Sequence, residues 1–381
     1  MSRMSSGVRL LVPVVLSALL LTGCSGGEPD GQPVEILAGG GSARVDGVLR
    51  DLDVGRDGLV RLATTDGDRA FIWTVRPGGA VEKADLAAEV TTVGQIAAGK
   101  DGSVYVSAGN SLWKAGGGRI VGNGETGFTA DGAAATGPAG EISGVAVDGE
   151  GRVVYTEGLA EGEGLASLVR RVEADGTVTT LAGGGTARAA DDPPPGTKAR
   201  DLALTGGHYT VLDVGDDGTV YVNGKESVLA VAPDGTARAV VAGRDPGAVT
   251  DAERPFAAEG KAVDARTPLY GTAVPPNLSA AGGRIALTSW TAGKPPAAAF
   301  RWTGEYTEDQ AAVVEDAFDP AKGSSTTAWP RIRLVDGQGV ITTAAWAARA
   351  AAIDGSWLYL VIGDRETGLL VGRVRLPETL A

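Results

Sequence analysis

A short turn-and-strand unit recurs six times along this chain, and no other feature restricts its fold as much. The copies are RDGLVRLA (Arg56 to Ala63), KDGSVYVS (Lys100 to Ser107), GEGRVVYT (Gly149 to Thr156), DDGTVYVN (Asp216 to Asn223), GGRIALTS (Gly282 to Ser289) and DGSWLYLV (Asp354 to Val361). Each opens on a glycine-containing turn that accepts positive backbone angles, then runs into alternating Val, Ile, Leu, Tyr or Thr, the pattern of a half-buried strand leaving a hairpin. The fullest context runs from Val121 to Gly185, where ISGVAVD (Ile142 to Asp148), RVVYTE (Arg152 to Glu157), LVRRVEA (Leu168 to Ala174) and TVTTLAG (Thr177 to Gly183) form one four-stranded antiparallel sheet. Six such units predict an all-β fold, a six-bladed β-propeller with four-stranded antiparallel blades, because a sheet of this size buries its faces only against its neighbours.

Through GFTADGAAATGPAGEISGVAVDGEGRVVYTE and VRRVEADGTVTTLAGGG the chain resembles the NHL-repeat propellers. The match is specific over Val121 to Gly185, fair over Asp201 to Gly243 and weak beyond. The resemblance implies a six-bladed ring, a fold shared by binding modules and by some enzymes, and so fixes no function.

The ring needs closing. VEILAGGG (Val34 to Gly41) reads as a fourth strand arriving before any first strand, whereas WLYLVIG (Trp357 to Gly363) and LLVGRVRL (Leu369 to Leu376) lack a fourth. The expectation is that Val34 to Gly39 pairs beside Leu369 to Leu376, which also hides an exposed sheet edge. Blade five is ambiguous, since AAAFRWTG (Ala297 to Gly304) and RIRLVDGQGVITT (Arg331 to Thr343) could each supply outer strands. Thr307 and Gln310 have capping-box spacing, which predicts a helix over Glu308 to Ala317.

Ahead of the ring, Arg3 and Arg9 precede an apolar run from Leu10 to Leu21 and the sequence LTGC ending at Cys24. The run is too short to span a bilayer and reads as a lipoprotein signal peptide over 1–23, with Cys24 lipidated, a flexible tether over 24–33 and the propeller over 34–381. Cys24 is the chain's one cysteine, so no disulfide accompanies export. Removing 1–23 leaves 32 basic against 47 acidic residues, a net charge of −15. Phosphate backbones are repelled by that charge, and nucleic acid is excluded as an expected partner.

Gly122 to Gly127 satisfies G-x-G-x-x-G, but a second glycine-rich turn follows where a dinucleotide site needs a helix. Nucleophile elbows, Walker loops and zinc-binding pairs do not occur in the sequence, and His208 is the single histidine. A propeller holding zinc through several histidines, or using them as acid and base, cannot be built from this inventory. Calcium held by Asp, Asn and Glu is compatible with composition; otherwise no cofactor is expected. The clusters Asp51, Asp53, Asp57 and Asp213, Asp216, Asp217 lack the ligand spacing of a calcium loop and read as turn residues of a blade's first hairpin. Trp73, Trp113, Trp290, Trp302 and Trp357 read as inter-blade packing; Trp329 and Trp346 resist assignment.

The expected function is an exported, lipid-anchored, monomeric module that binds a protein or cell-envelope ligand through its inter-blade loops; the alternative is a metal-dependent lactone hydrolase or lyase of propeller type. Short Asp-Gly turns should share one smooth face, with the long inter-blade links on the other. Candidate binding residues on those links are Glu125, Phe128, Asp131, Asp191, Asp192, Arg254 and Phe256, since function concentrates on loops held by a rigid scaffold.

Overall fold

The computed structural model describes residues 34–159, 166–188, 193–205, 210–223, 227–241, 258–261, 277–291, 306–317 and 329–378. Six antiparallel sheets follow one another around a ring. Blade one holds Val48–Val54, Val60–Asp66, Arg69–Val75 and Val81–Asp85; blade two holds Ile96–Ala98, Val104–Ala108, Ser111–Lys114 and Arg119–Val121. Blade three holds Val145–Val147, Val153–Leu159, Ala166–Val172 and Val178–Ala182; blade four holds Leu212–Val214, Val220–Asn223, Val228–Val231 and Ala237–Val241. In every blade the first strand lies innermost, next to the first strands of the two adjacent blades.

Apolar residues on both faces of these strands fill six core clusters, one at each junction between blades. Leu62, Val106, Tyr155, Leu212, Ile285 and Val361 are all essentially inaccessible to water, and each such side chain contributes about 1.5–3 kcal/mol by leaving water. The sixth junction joins Leu49, Leu62 and Phe71 of blade one to Val361 and Val371 of blade six, with Leu37 and Ala38 from the N-terminal strand.

Blade six is completed as expected: Ala350–Asp354, Trp357–Asp364 and Gly368–Arg375 are joined at the outer edge by Glu35–Ala38. Glu35 lies opposite Arg373 and Ile36 opposite Gly372. Arg373 fixes this register by donating Nε and Nη2 to the two Glu35 carboxylate oxygens at 2.9 and 3.0 Å, and its guanidinium lies 4.2 Å from the Trp357 ring centroid.

Blade five resolves the ambiguity in the sequence. Its strands are Leu278–Ala281, Arg284–Thr291, Trp329–Val335 and Val340–Trp346, with Ala258–Lys261 as a fifth at the edge. The segment around Arg331 thus supplies the outer strands, and Trp329 and Trp346 are strand residues; Ala297 to Gly304 lies outside the described residues. The helix spans Glu308–Ala317 with the anticipated reciprocal cap, in which Gln310 N–H donates to Thr307 Oγ1 and Thr307 N–H to Gln310 Oε1. Val313 buries its side chain in the core between blades five and six.

Two of the described inter-blade links reach the outer strand of the next blade: Ala134 bridges to Thr177 and Lys198 to Thr236, whereas Val45, on the link into blade one, bridges back to Leu369 of blade six. Ala135, Ala139 and Ile142 of the first link are buried between blades two and three.

Candidate functional site

The six inner strands surround the axis, and alternation along them decides which side chains reach it. At one level stand Asp51, Gln95, Ser143, Thr210 and Asn277, all buried. Asp51 of blade one accepts from Asn277 Nδ2 of blade five at 2.7 Å and from Ile96 N–H of blade two at 2.9 Å. Asn277 Oδ1 accepts from Ala351 N–H of blade six at 2.8 Å. Gln95 of blade two donates Nε2 to the Leu212 carbonyl of blade four at 3.0 Å, and its Oε1 accepts from Val145 N–H of blade three at 3.1 Å. The bonds from blade one to five and from two to four skip a blade, so this layer reaches across the channel.

Two residues further along, towards the Asp-Gly turns, the channel opens into a cavity of about 400 Å³ lined by all six blades. Asp53 and Asp213 project from blades one and four, which are opposite each other in the ring. Each braces the next blade: Asp53 Oδ2 accepts from Ala98 N–H at 2.6 Å, and Asp213 Oδ2 accepts from Ala280 N–H at 2.7 Å. Their other oxygens accept from Val54 N–H and Val214 N–H, both at 2.7 Å. At the mouth Arg56 of blade one pairs with Asp216 of blade four at 2.7 Å, and Lys100 of blade two donates to the Gly149 carbonyl of blade three. Asp354 of blade six lines the same cavity.

This geometry revises the assignment of the acidic clusters to turns. Asp57 and Asp217 are turn residues, accepting from Leu59 and Thr219 N–H, but Asp51, Asp53 and Asp213 lie on inner strands and face the centre of the ring. A sequence pattern local to the hairpin cannot distinguish an aspartate in the turn from one just before it that points inward.

Burial changes the acidity of these groups. Loss of water pushes the Asp51 carboxyl up to about 7, against the hydrogen bonds from Ile96, Asn277 and Leu52. Asp53 is also raised, first by burial and with help from the Asp354 charge. Asp213 is raised well above the ordinary range, first by burial and then by the negative charge of Asp53. Among the described residues no group of three or more His, Cys, Asp or Glu converges to hold a metal ion.

The expected loop residues fare differently. Phe128 is the exposed large apolar side chain among the described residues, at 38%. Glu125 is exposed and accepts from Asn123 Nδ2 at 3.0 Å. Asp131 is engaged internally: Thr180 donates its N–H and hydroxyl to Oδ1, and Arg200 reaches Oδ2. Although partial burial opposes it, the Thr180 hydroxyl and Arg200 hold the Asp131 carboxyl below its usual range. Arg170, buried on blade three, joins Asp131 at 3.5 Å and Glu157 at 3.1 Å, so this link is tied to the blade beneath it. Cys24, Asp191, Asp192, His208, Arg254 and Phe256 lie outside the described residues.

Fold and cavity together define a six-bladed β-propeller whose channel is crossed by a polar layer at one level and holds a cavity towards its turn end. No protein-family model matches the chain, and no curated protein matches it in sequence. Solved structures similar to it include a gluconolactonase from Xanthomonas campestris, 12% identical over 94% of this chain and 99% of that one, with a TM-score of 0.44. An auxiliary nutrient-binding protein from Bacteroides ovatus is 11% identical, with 91% and 78% covered and a TM-score of 0.47. An inactive virginiamycin B lyase from Staphylococcus aureus is 11% identical, with 87% and 96% covered and a TM-score of 0.44. At these levels the likeness carries no inference about activity.

Proposed function

We propose that this chain is a binding module, exported and held at the membrane through lipidated Cys24, that receives a small ligand in the turn-end cavity and offers its loop face to a protein or cell-envelope partner. The observation that carries this reading is the axial cavity: a polar layer crosses the channel at Asp51, Gln95 and Asn277, the Arg56–Asp216 pair spans the mouth, and the space between is lined by fixed, hydrogen-bonded carboxylates. Pockets of this size with a few placed polar groups on a rigid wall are the usual form of ligand sites. The exposed Phe128 on the link between blades two and three is the feature that favours a partner docking on that link.

The alternative, a metal-dependent lactone hydrolase or lyase, requires oxygens that converge on one cation. The cavity carboxylates instead brace backbone N–H groups of neighbouring blades, which favours holding a ligand over activating water. A thermal-shift screen of small charged and neutral solutes against the wild type and Asp213→Asn tests the reading. Stabilisation seen in the wild type and lost in the variant is the expected result. Hydrolysis of a lactone panel that depends on added calcium would overturn it.

A further inference from the structure

We infer that the turn-end cavity takes a short aliphatic diamine in its diammonium form. The inference rests on the binding reading above and names the ligand class of that site.

The first consideration is charge. Asp53, Asp213, Asp216 and Asp354 line the cavity against Arg56 and Lys100, so the fully ionised wall carries two uncompensated negative charges. Both cations are committed at the rim, Arg56 to Asp216 and Lys100 to the Gly149 carbonyl. Arg61, the next cation near Asp53, forms its ion pair with Asp57. Asp53, Asp213 and Asp354 therefore face the cavity without a cation of their own, and a dication balances the wall.

The second consideration is placement. The three inner carboxylates come from blades one, four and six and do not converge, which disfavours a single metal ion and suits two charges set apart along a chain. The wall between them is mostly polar, and the partly exposed Val54, Val147 and Val214 supply its apolar patches for a short run of methylenes. Each oxygen of Asp53 and Asp213 accepts one backbone N–H and keeps a second lone pair, so both carboxylates are preoriented acceptors for an ammonium group. Among the described residues Asp354 uses none of its acceptor capacity. Burial raises the Asp53 and Asp213 carboxyls, and an arriving dication favours their ionised form, so binding should displace protons into solution.

The test is isothermal titration of the full-length chain in detergent micelles with 1,4-diaminobutane, in two buffers of different ionisation enthalpy, beside butylamine, 1,4-butanediol and calcium chloride. The diamine should bind at least tenfold more tightly than butylamine, with proton release, and the diol should not bind. Asp213→Asn and Asp354→Asn should each weaken the diamine at least tenfold; Asp354→Asn should do so without lowering the melting temperature, since among the described residues no hydrogen bond depends on that side chain and burial already disfavours its charge. Equal affinity for the monoamine, affinity indifferent to both substitutions, or tighter binding of calcium at the same residues would each overturn the inference. Should diamines fail while another solute stabilises the protein in an Asp213-dependent way, the ligand class is wrong and the binding reading stands.

Discussion

Asp51→Asn isolates a charge at the centre of the ring and should invert the usual dependence of stability on pH. Asp51 is 1% exposed and accepts from blades two and five. Its carboxyl titrates near 3.8 when unfolded and is pushed up to about 7 when folded. A group raised on folding contributes stability that is fully present below its unfolded value and is lost as pH rises through the folded one. At ~1.4 kcal/mol for each pH step across that window, ionised Asp51 costs about 4 kcal/mol. Asparagine keeps an acceptor oxygen for Ile96 or Asn277 and never carries the charge. Any fixed cost of facing its amide towards those donors is the same at every pH, and Asp53 and Asp213 titrate in both proteins and largely cancel from the comparison. Urea unfolding of wild type and variant near pH ~5 and pH ~8.5 gives the difference in free energy between them. That difference should move in favour of the asparagine by about 2.5–3 kcal/mol at the higher pH, since part of the cost is already present at the lower one. A difference that is flat with pH, or one that moves towards the wild type, would refute the argument that burial outweighs the hydrogen bonds at this site.

Three further outcomes follow from the same contacts. Glu157→Ala leaves Arg170, 2% exposed, without its buried partner at 3.1 Å and should cost about 3–5 kcal/mol, read from chemical denaturation; loss of less than ~1 kcal/mol would mean that Thr129 and Asp131 alone satisfy the guanidinium. Deleting Val34 to Gly41 removes the buried side chains of Val34 and Leu37 and opens the edge of blade six, so stability should fall by at least ~4 kcal/mol and hydrogen exchange should rise along Gly368–Arg375; unchanged protection there would contradict closure by this strand. Cys24→Ser should abolish incorporation of a fatty-acid label and release the protein from the membrane fraction, and continued labelling of the serine variant would reject Cys24 as the lipidated residue.

Much of the architecture was legible because its causes are local. Turn glycines, alternating apolar residues and the Thr307–Gln310 cap each act within a few residues, and they marked the repeated strands and the helix correctly. The N-terminal strand was also legible, since an unpaired fourth-strand pattern at one end matched a missing one at the other. Blade five was not, because Ala297 to Gly304 and Arg331 to Thr343 both carry strand patterns, and only pairing selects Trp329–Val335 as the partner of Arg284–Thr291.

The cavity was the least legible part, and the reason is geometric. Asp53 and Asp213 stand beside glycine-rich turns and have the composition of turn residues, yet they are opposite one another across the ring and 160 positions apart in sequence. Asp51 meets Asn277 across 226 positions. The sequence by itself determines which face of each inner strand a side chain takes, since alternation is a property of the strand. What lies on that face is decided only when six blades close on one axis, because water is excluded there by residues from every other blade. That exclusion turns ordinary surface aspartates into the buried, high-pKa wall of a cavity.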